Sequence, residues 1–242
     1  MTIIARALSG SLFLLACTAQ APNTQPTPIP GPVAASASAT SPAAAAPGTP
    51  ATPASVAADT NAGALVPAGY GTLRQDDIAI KLQLSDVLVK LTPLDESVIR
   101  TLSPDSYRAL RELAESRRPA IARLASQHGL LRGSVWYVSF YGLAPEARFS
   151  PLELTVGSAG RDFRPAEVLP LSSGFGSQRL QPRETQSALY LFDDALDVNQ
   201  PLTVSLSGQE SNSWATTLRT IERERALIRS RMTQQRRESG TP

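Results

Sequence analysis

The stretch IAIKLQLSDVLVKL, residues 78–91, alternates apolar and polar side chains on both sides of a short polar pair. This period of two runs from Ile78 to Leu84 and resumes from Val87 to Leu91. Such alternation is typical of strands that bury one face and leave the other in contact with water. Ser85-Asp86 is short and polar enough for a tight turn between the two runs. The stretch therefore predicts two neighbouring strands at the start of a β-rich domain.

Further strand-like segments follow Gly133, separated by Gly, Pro, Asp and Ser at intervals of roughly ten residues. They read SVWYVSFYGL (134–143), FSPLELTVG (149–157), DFRPAEVLPL (162–171), SALYLF (187–192) and PLTVSLS (201–207). Short strands with regular turn residues are typical of antiparallel all-β folds. We therefore expect a mainly β domain over residues 65–212, built as an immunoglobulin-like sandwich or a related barrel.

Residues 103–128 lie between the early and the late strands and show the spacing of a helix. Ser103 is placed to cap the first free N–H groups, and Pro104 is tolerated in the first turn of a helix. Pro119 is internal, where a proline removes a backbone hydrogen bond at a cost of about 3 kcal/mol. We therefore expect either a helical hairpin or a kinked helix, packed on the sheet as an insertion.

Residues 213–237 have the pattern of a basic amphipathic helix that follows the last strand. One helical face, interrupted by Arg225, carries the apolar side chains of Trp214, Leu218, Ile221, Ile228 and Met232. Three alternatives follow from this pattern: the face docks on the chain's own domain, pairs with another helix, or lies on an anionic membrane surface. We treat these five residues as a candidate interaction face.

The first sixteen residues, MTIIARALSGSLFLLA, place one basic side chain, Arg6, before an apolar run that ends at Ala16. This run is too short to cross a bilayer, which takes about 20 apolar residues, but it has the length of a secretory signal. The following Leu14-Leu15-Ala16-Cys17 resembles the lipobox of bacterial lipoproteins. The resemblance implies cleavage before Cys17 and attachment of diacylglycerol to its sulfur. Because Cys17 is the only cysteine, it has no partner for an intramolecular disulfide.

Residues 17–64 begin with this cysteine and continue as a tract of Pro, Ala and Thr. Asp59 is its only charged residue, and it contains no aromatic side chain. Such a composition buries too little apolar surface to offset the entropy of ordering the chain. We therefore expect a disordered tether between the lipidated cysteine and the folded domain. Thr18 rather than Asp after the cysteine implies release to the outer membrane if the organism has two membranes.

Few residues in the chain have the types and spacing that catalysis or cofactor binding requires. His128, the only histidine, precedes Gly129 at a predicted helix end, which favours a capping role over catalysis or zinc binding. The loop Asp193–Asn199 holds three carboxylates and raises the possibility of calcium, but it lacks the glycine and the distal glutamate of an EF-hand. Gly174-Phe175-Gly176 lacks the third glycine of a dinucleotide fingerprint. We therefore expect no cofactor and no metal.

The overall charge is nearly balanced, since 23 Lys and Arg stand against 21 Asp and Glu. This balance does not favour nucleic acid as a partner. We expect a non-catalytic lipoprotein of the bacterial envelope, anchored in a membrane, whose β domain binds an envelope protein or the cell wall, or has a structural role there. The alternative is an envelope hydrolase that works through carboxylates. Two carboxylates facing each other in a deep cleft would favour that alternative.

Overall fold

Antiparallel pairing organises the part of the chain that the computed structural model describes, residues 65–239. The strands in this range are β1 (Ile80–Gln83), β2 (Val87–Pro93), β3 (Ser134–Gly142), β4 (Ala147–Arg148), β5 (Thr155–Ser158), β6 (Arg161–Phe163), β7 (Glu167–Pro170), β8 (Arg179–Leu180), β9 (Thr185–Phe192), β10 (Leu202–Leu206) and β11 (Gln209–Ser211). The helices are α1 (Glu96–Ile99), α2 (Pro104–Gln127) and α3 (Trp214–Ser239). The predicted signal peptide, Cys17 and the tether lie outside the described residues.

The strands form a five-stranded sheet in the order β1-β2-β3-β9-β7, a four-stranded sheet in the order β11-β10-β5-β6, and the pair β4-β8. One core joins the inner faces of the two larger sheets, with Val89, Trp136 and Phe140 from the first and Val156 and Val204 from the second. Within residues 65–239 no sheet closes into a barrel. The predicted mainly β fold is confirmed, and the arrangement is consistent with a sandwich rather than with the barrel.

Tight turns of two residues set the register of three hairpins. Ser85-Asp86 joins β1 to β2 as predicted, and the Leu84 N–H donates to the Val87 carbonyl oxygen at 2.9 Å. Ala159-Gly160 joins β5 to β6, and Ser207-Gly208 joins β10 to β11, with positive φ at both residues of each pair. Turns of that geometry match the right-handed twist of a hairpin and favour glycine. The pairs Ala159-Gly160 and Ser207-Gly208 are a sequence signal for these two hairpins, which the strand pattern alone did not predict.

Two of the predicted strands are discontinuous in the structure, so their prediction as single strands was wrong. In FSPLELTVG, Pro151 opens a short 3-10 turn, and β5 begins only at Thr155. In DFRPAEVLPL, the chain leaves the four-stranded sheet after Phe163 and enters the five-stranded sheet at Glu167. Prolines at these positions have no N–H to contribute to a ladder, which explains both breaks. Strands β4, β8 and β11 are too short to show a period, and the pattern did not predict them.

Helix α2 is a single helix from Pro104 to Gln127, so of the two expected alternatives the helical hairpin does not form. Pro119 lies inside it on the exposed side, and the buried side chains near the two ends, among them Tyr107 and Ala125, hold the helix to the domain. These contacts offset the hydrogen bond that the proline removes. Ser103 does precede the helix, but its side chain bonds to the Ser106 hydroxyl at 3.1 Å and not to a free helix N–H.

Candidate functional site

The apolar face of α3 packs on the chain's own domain, which is the first of the three alternatives for this helix. Four of its five predicted side chains are buried and Met232 is half-buried; the buried ones are Trp214, Leu218, Ile221 and Ile228. The ring centres of Trp214 and Trp136 are 6.2 Å apart. The Trp214 indole N–H donates to the Val198 carbonyl oxygen at 2.9 Å. In this structure, the face is therefore part of the core and is not open to a partner helix or a membrane.

The same face of α3 also carries a buried carboxylate, Glu224, which sequence analysis did not identify. Glu224 is only 4% exposed, and one of its oxygens accepts from the Thr72 N–H, the Thr72 hydroxyl and Arg231, each at 3.0 Å. Arg231 also donates to the Tyr70 carbonyl oxygen at 2.9 Å. These residues, the Glu224 cluster (Tyr70, Thr72, Glu224 and Arg231), join α3 to the segment that leads into β1. The spacing of three after Ile221 and four before Ile228 could have predicted the inward position of Glu224.

Arg225, which interrupts the apolar stripe in the sequence, has a structural role as well. Its guanidinium donates to the Ser97 carbonyl oxygen at 2.7 and 3.1 Å and to the Asn199 side chain at 3.0 Å. Burial lowers the pKa of Arg225, although arginine stays charged at any physiological pH. The basic residue therefore ties α3 to α1 and to the loop before β10.

The acidic loop Asp193–Asn199 uses its carboxylates to hold backbone N–H groups. Asp193 accepts from the Ala195 N–H and Asp197 from the Asn199 N–H, both at 2.8 Å, which is the Asx-turn pattern of a connecting loop. Asp194 accepts from the N–H groups of Leu131, Arg132 and Gly133, so it organises the connection between α2 and β3. Among residues 65–239, no group of three or more His, Cys, Asp and Glu side chains is arranged to hold a metal ion.

We expect Asp194→Asn to lower the free energy of unfolding at pH 7 by about 1 kcal/mol, the usual value of a side chain that caps backbone N–H groups. Burial alone would raise the pKa of Asp194, but the three N–H donors outweigh it and lower the pKa. A lowered pKa stabilises the fold above the unfolded-state value of about 3.9, and this contribution is lost as the pH falls through the folded-state value.

Denaturant unfolding from pH 7 to pH 3 would therefore show the difference between wild type and Asp194→Asn shrinking below about pH 4. Asp162→Asn is the matched control, because within the described chain the Asp162 side chain is exposed and makes no hydrogen bond or ion pair. A difference that is constant with pH, or equal in the two variants, would contradict the role of the Asp194 carboxylate.

His128 and the segment Gly174-Phe175-Gly176 both have structural roles in the described domain. His128 ends α2, as predicted, but its ring faces the Glu167 carboxylate at 3.5 Å and not the last helix carbonyls. The segment from Gly174 leads into a 3-10 turn whose Phe175 side chain packs against Phe140 and Phe149 in the core. The glycines are therefore part of a turn over the core, and their context is not the strand-turn-helix of a dinucleotide site.

A cleft of about 440 Å³ lies between the first half of α2 and the segment Ala68–Gly69. Its charged side chains are largely paired with neighbours: Arg108 with Asp105 at 3.5 Å, and Glu115 with Arg118 at 2.5 Å. The Tyr107 hydroxyl accepts from Arg111 at 2.5 Å and thereby raises the pKa of Arg111. The two carboxylates that line the cleft, Glu112 and Glu115, lie one turn apart on the same helix. They do not face each other across the cleft, as the two carboxylates of a glycoside hydrolase would.

A second cavity, of about 280 Å³, lies at one end of the sandwich, where loops from all three sheets converge. We call it the end pocket and define it by its lining residues: Leu84, Ser85, Asp86, Val87, Arg148, Phe149, Ser150, Leu206, Ser207 and Gln209. Its accessible lining is mostly polar, because the apolar residues Val87, Phe149 and Leu206 are almost fully buried. Within residues 65–239, the side chains of Asp86 and Arg148 make no hydrogen bond or ion pair, although both line this pocket. Sequence analysis did not identify it, because its residues are spread over more than 120 positions.

No helix within residues 65–239 combines the length and the apolar character that crossing a bilayer requires. No family model, curated protein or solved structure matches this chain.

Proposed function

We propose that this chain is a lipid-anchored, non-catalytic lipoprotein of the bacterial envelope, whose β domain is presented as a binding or structural module on a tether formed by residues 17–64. The observation that carries the proposal is Leu14-Leu15-Ala16-Cys17 at the end of an apolar run of signal-peptide length. Each buried CH₂ of an acyl chain contributes about 0.8 kcal/mol, so two or three chains on Cys17 anchor the protein stably. Thr18 favours the outer membrane if the organism has two membranes.

The surface of the described domain supports binding over catalysis. Glycoside hydrolysis by two carboxylates requires one acid and one base or nucleophile that flank the scissile bond. In the larger cleft, Glu112 and Glu115 share one helix, and nearby Glu96 forms a salt bridge with Arg100 at 2.5 Å. The end pocket, in contrast, is lined by the side chains of Asp86 and Arg148, which make no hydrogen bond or ion pair within residues 65–239. The alternative of an envelope hydrolase therefore has less support.

Replacing Cys17 by serine is expected to move the protein from the membrane fraction to the soluble fraction, because serine cannot form the thioether to diacylglycerol. Fractionation of cells followed by intact mass measurement would test this prediction, since the lipid and the lost signal peptide both change the mass. Thr18→Ser is the matched control, because it changes the neighbouring residue and leaves the cysteine in place. Unchanged fractionation of Cys17→Ser, together with an uncleaved N-terminus in the wild type, would contradict the anchor.

A further inference from the structure

The end pocket holds two opposite charges that the described domain does not use for its own stability. Asp86 lies in the β1-β2 turn and Arg148 at the end of β4, and both side chains are exposed. They line the same cavity, yet no salt bridge joins them within the described chain. Elsewhere in the domain a comparable exposed carboxylate, Asp76, is paired with both Lys81 and Lys90 at 2.7 Å. Asp86 and Arg148 are therefore both available to a charged ligand in the cavity.

The apolar residues of the end pocket contribute little accessible surface. Val87, Phe149 and Leu206 line the cavity, but each is at most 4% exposed, so most of the accessible lining is polar. The Phe149 ring is stacked on Phe140, with the ring centres 4.3 Å apart, and its residue is only 4% exposed. It therefore does not present an open aromatic face on which a sugar ring could stack. The lack of an open aromatic face, together with the two charged side chains, favours a small charged ligand over a saccharide.

We propose that the end pocket binds a zwitterionic ligand, an amino acid or a short peptide. The free ammonium group binds Asp86, and the carboxylate binds Arg148. Arginine suits a carboxylate because its guanidinium donates two parallel hydrogen bonds. The volume of about 280 Å³ lies near the lower end of ligand cavities, which limits the ligand to one or two residues. Ser85, Ser150 and Gln209 on the rim can bond to the peptide group. The assignment does not depend on the lipid anchor.

The dipeptide Ala-Leu is a direct probe of this assignment, titrated into the full-length chain in detergent micelles and followed by calorimetry. Acetylating its amino group removes the partner of Asp86, and amidating its carboxyl group removes the partner of Arg148. We expect each modification to weaken binding to the wild type at least tenfold, which corresponds to about 1.4 kcal/mol. We also expect Asp86→Asn to weaken binding of Ala-Leu and to become insensitive to acetylation. Arg148→Gln likewise becomes insensitive to amidation.

Two variants with the same charge changes serve as controls. Asp162→Asn and Arg164→Gln alter exposed side chains of the β6 region that, in the described chain, make no hydrogen bond or ion pair. Both are expected to bind Ala-Leu like the wild type. The use of modified ligands on the unaltered protein keeps the test valid even if a pocket variant folds poorly. Free leucine, titrated in parallel, distinguishes an amino acid from a peptide as the natural ligand.

Three results would overturn the proposal. The first is that neither Ala-Leu nor leucine binds. The second is that modification of either end leaves the affinity unchanged, which would mean that Asp86 and Arg148 do not contact the charged groups. The third is that N,N′-diacetylchitobiose binds and Arg148→Gln abolishes its binding, while Ala-Leu does not bind, which would assign the pocket to a saccharide. None of these results bears on the membrane fractionation of Cys17→Ser, so the pocket and the anchor fail or succeed separately.

Discussion

Replacing Ile221 by aspartate is expected to lower the free energy of unfolding by about 4 kcal/mol. Ile221 is fully buried and belongs to the hydrophobic core that α3 shares with the sandwich. The substitution removes the apolar contacts of a buried isoleucine, which alone contribute about 2 to 5 kcal/mol. It also places a charge where no partner is available, so the aspartate must either be protonated or draw water into the core.

Leu227→Asp is the matched control for Ile221→Asp, because it makes a comparable change on the same helix. Leu227 is 45% exposed, so this substitution is expected to change the stability by less than about 0.5 kcal/mol. Denaturant unfolding of both variants, at a pH where aspartate is charged, gives the comparison directly. If Ile221→Asp were as mild as Leu227→Asp, the apolar face of α3 would not be docked in solution. Binding to another helix or to a membrane would then again be open for that face.

Removing the carboxylate of the Glu224 cluster by Glu224→Ala is expected to destabilise the domain by about 2 to 3 kcal/mol. Loss of one member of a buried ionic pair typically costs about 3 to 5 kcal/mol, and the value is reduced here because the Arg231 side chain is 40% exposed. The substitution leaves the Thr72 N–H and hydroxyl without their acceptor. The segment before β1 then loses a side-chain link to α3.

Glu222→Ala provides the control, because Glu222 lies on the exposed side of the same helix and carries the same charge. Its effect is expected to stay within about 0.5 kcal/mol. A double-mutant cycle with Thr72→Val isolates the link to the N-terminal segment, since residues in direct contact show coupling and independent residues do not. Additive effects of Glu224→Ala and Thr72→Val would contradict the hydrogen bonds that define the cluster.

Docking of α3 changes which parts of the tail are available for other contacts. The apolar face and Glu224 are covered by the domain, and Arg225 and Arg231 bond to backbone carbonyls of other elements. The basic character noted in the sequence therefore partly serves to hold the helix in place. The large apolar side chain that remains exposed on α3 is that of Leu227, and alone it forms no stripe. Binding of a partner through the apolar face would require α3 to detach from the core.

Local patterns predicted the mainly β architecture because they depend on neighbouring residues only. The alternation in residues 78–91 predicted β1, β2 and their turn, and Ser103-Pro104 predicted the start of α2. The stripe from Trp214 to Ile228 predicted a helix with one apolar face, and the structure has a helix there. Each of these segments is long enough to show its period more than once. The signal peptide and Cys17 likewise remain predictions from a local pattern.

Tertiary structure alone decided how the elements combine. The sequence of DFRPAEVLPL does not reveal that its two halves join different sheets, because pairing partners lie far away along the chain. Whether the stripe on α3 meets its own core or another molecule depends on a surface built by other elements. The end pocket requires Asp86, Arg148 and Ser207 to come together from three sheets, and no local period records such an approach. Sequence patterns indicate which side chains are buried away from water. Only the packed chain determines which other side chains those buried side chains contact.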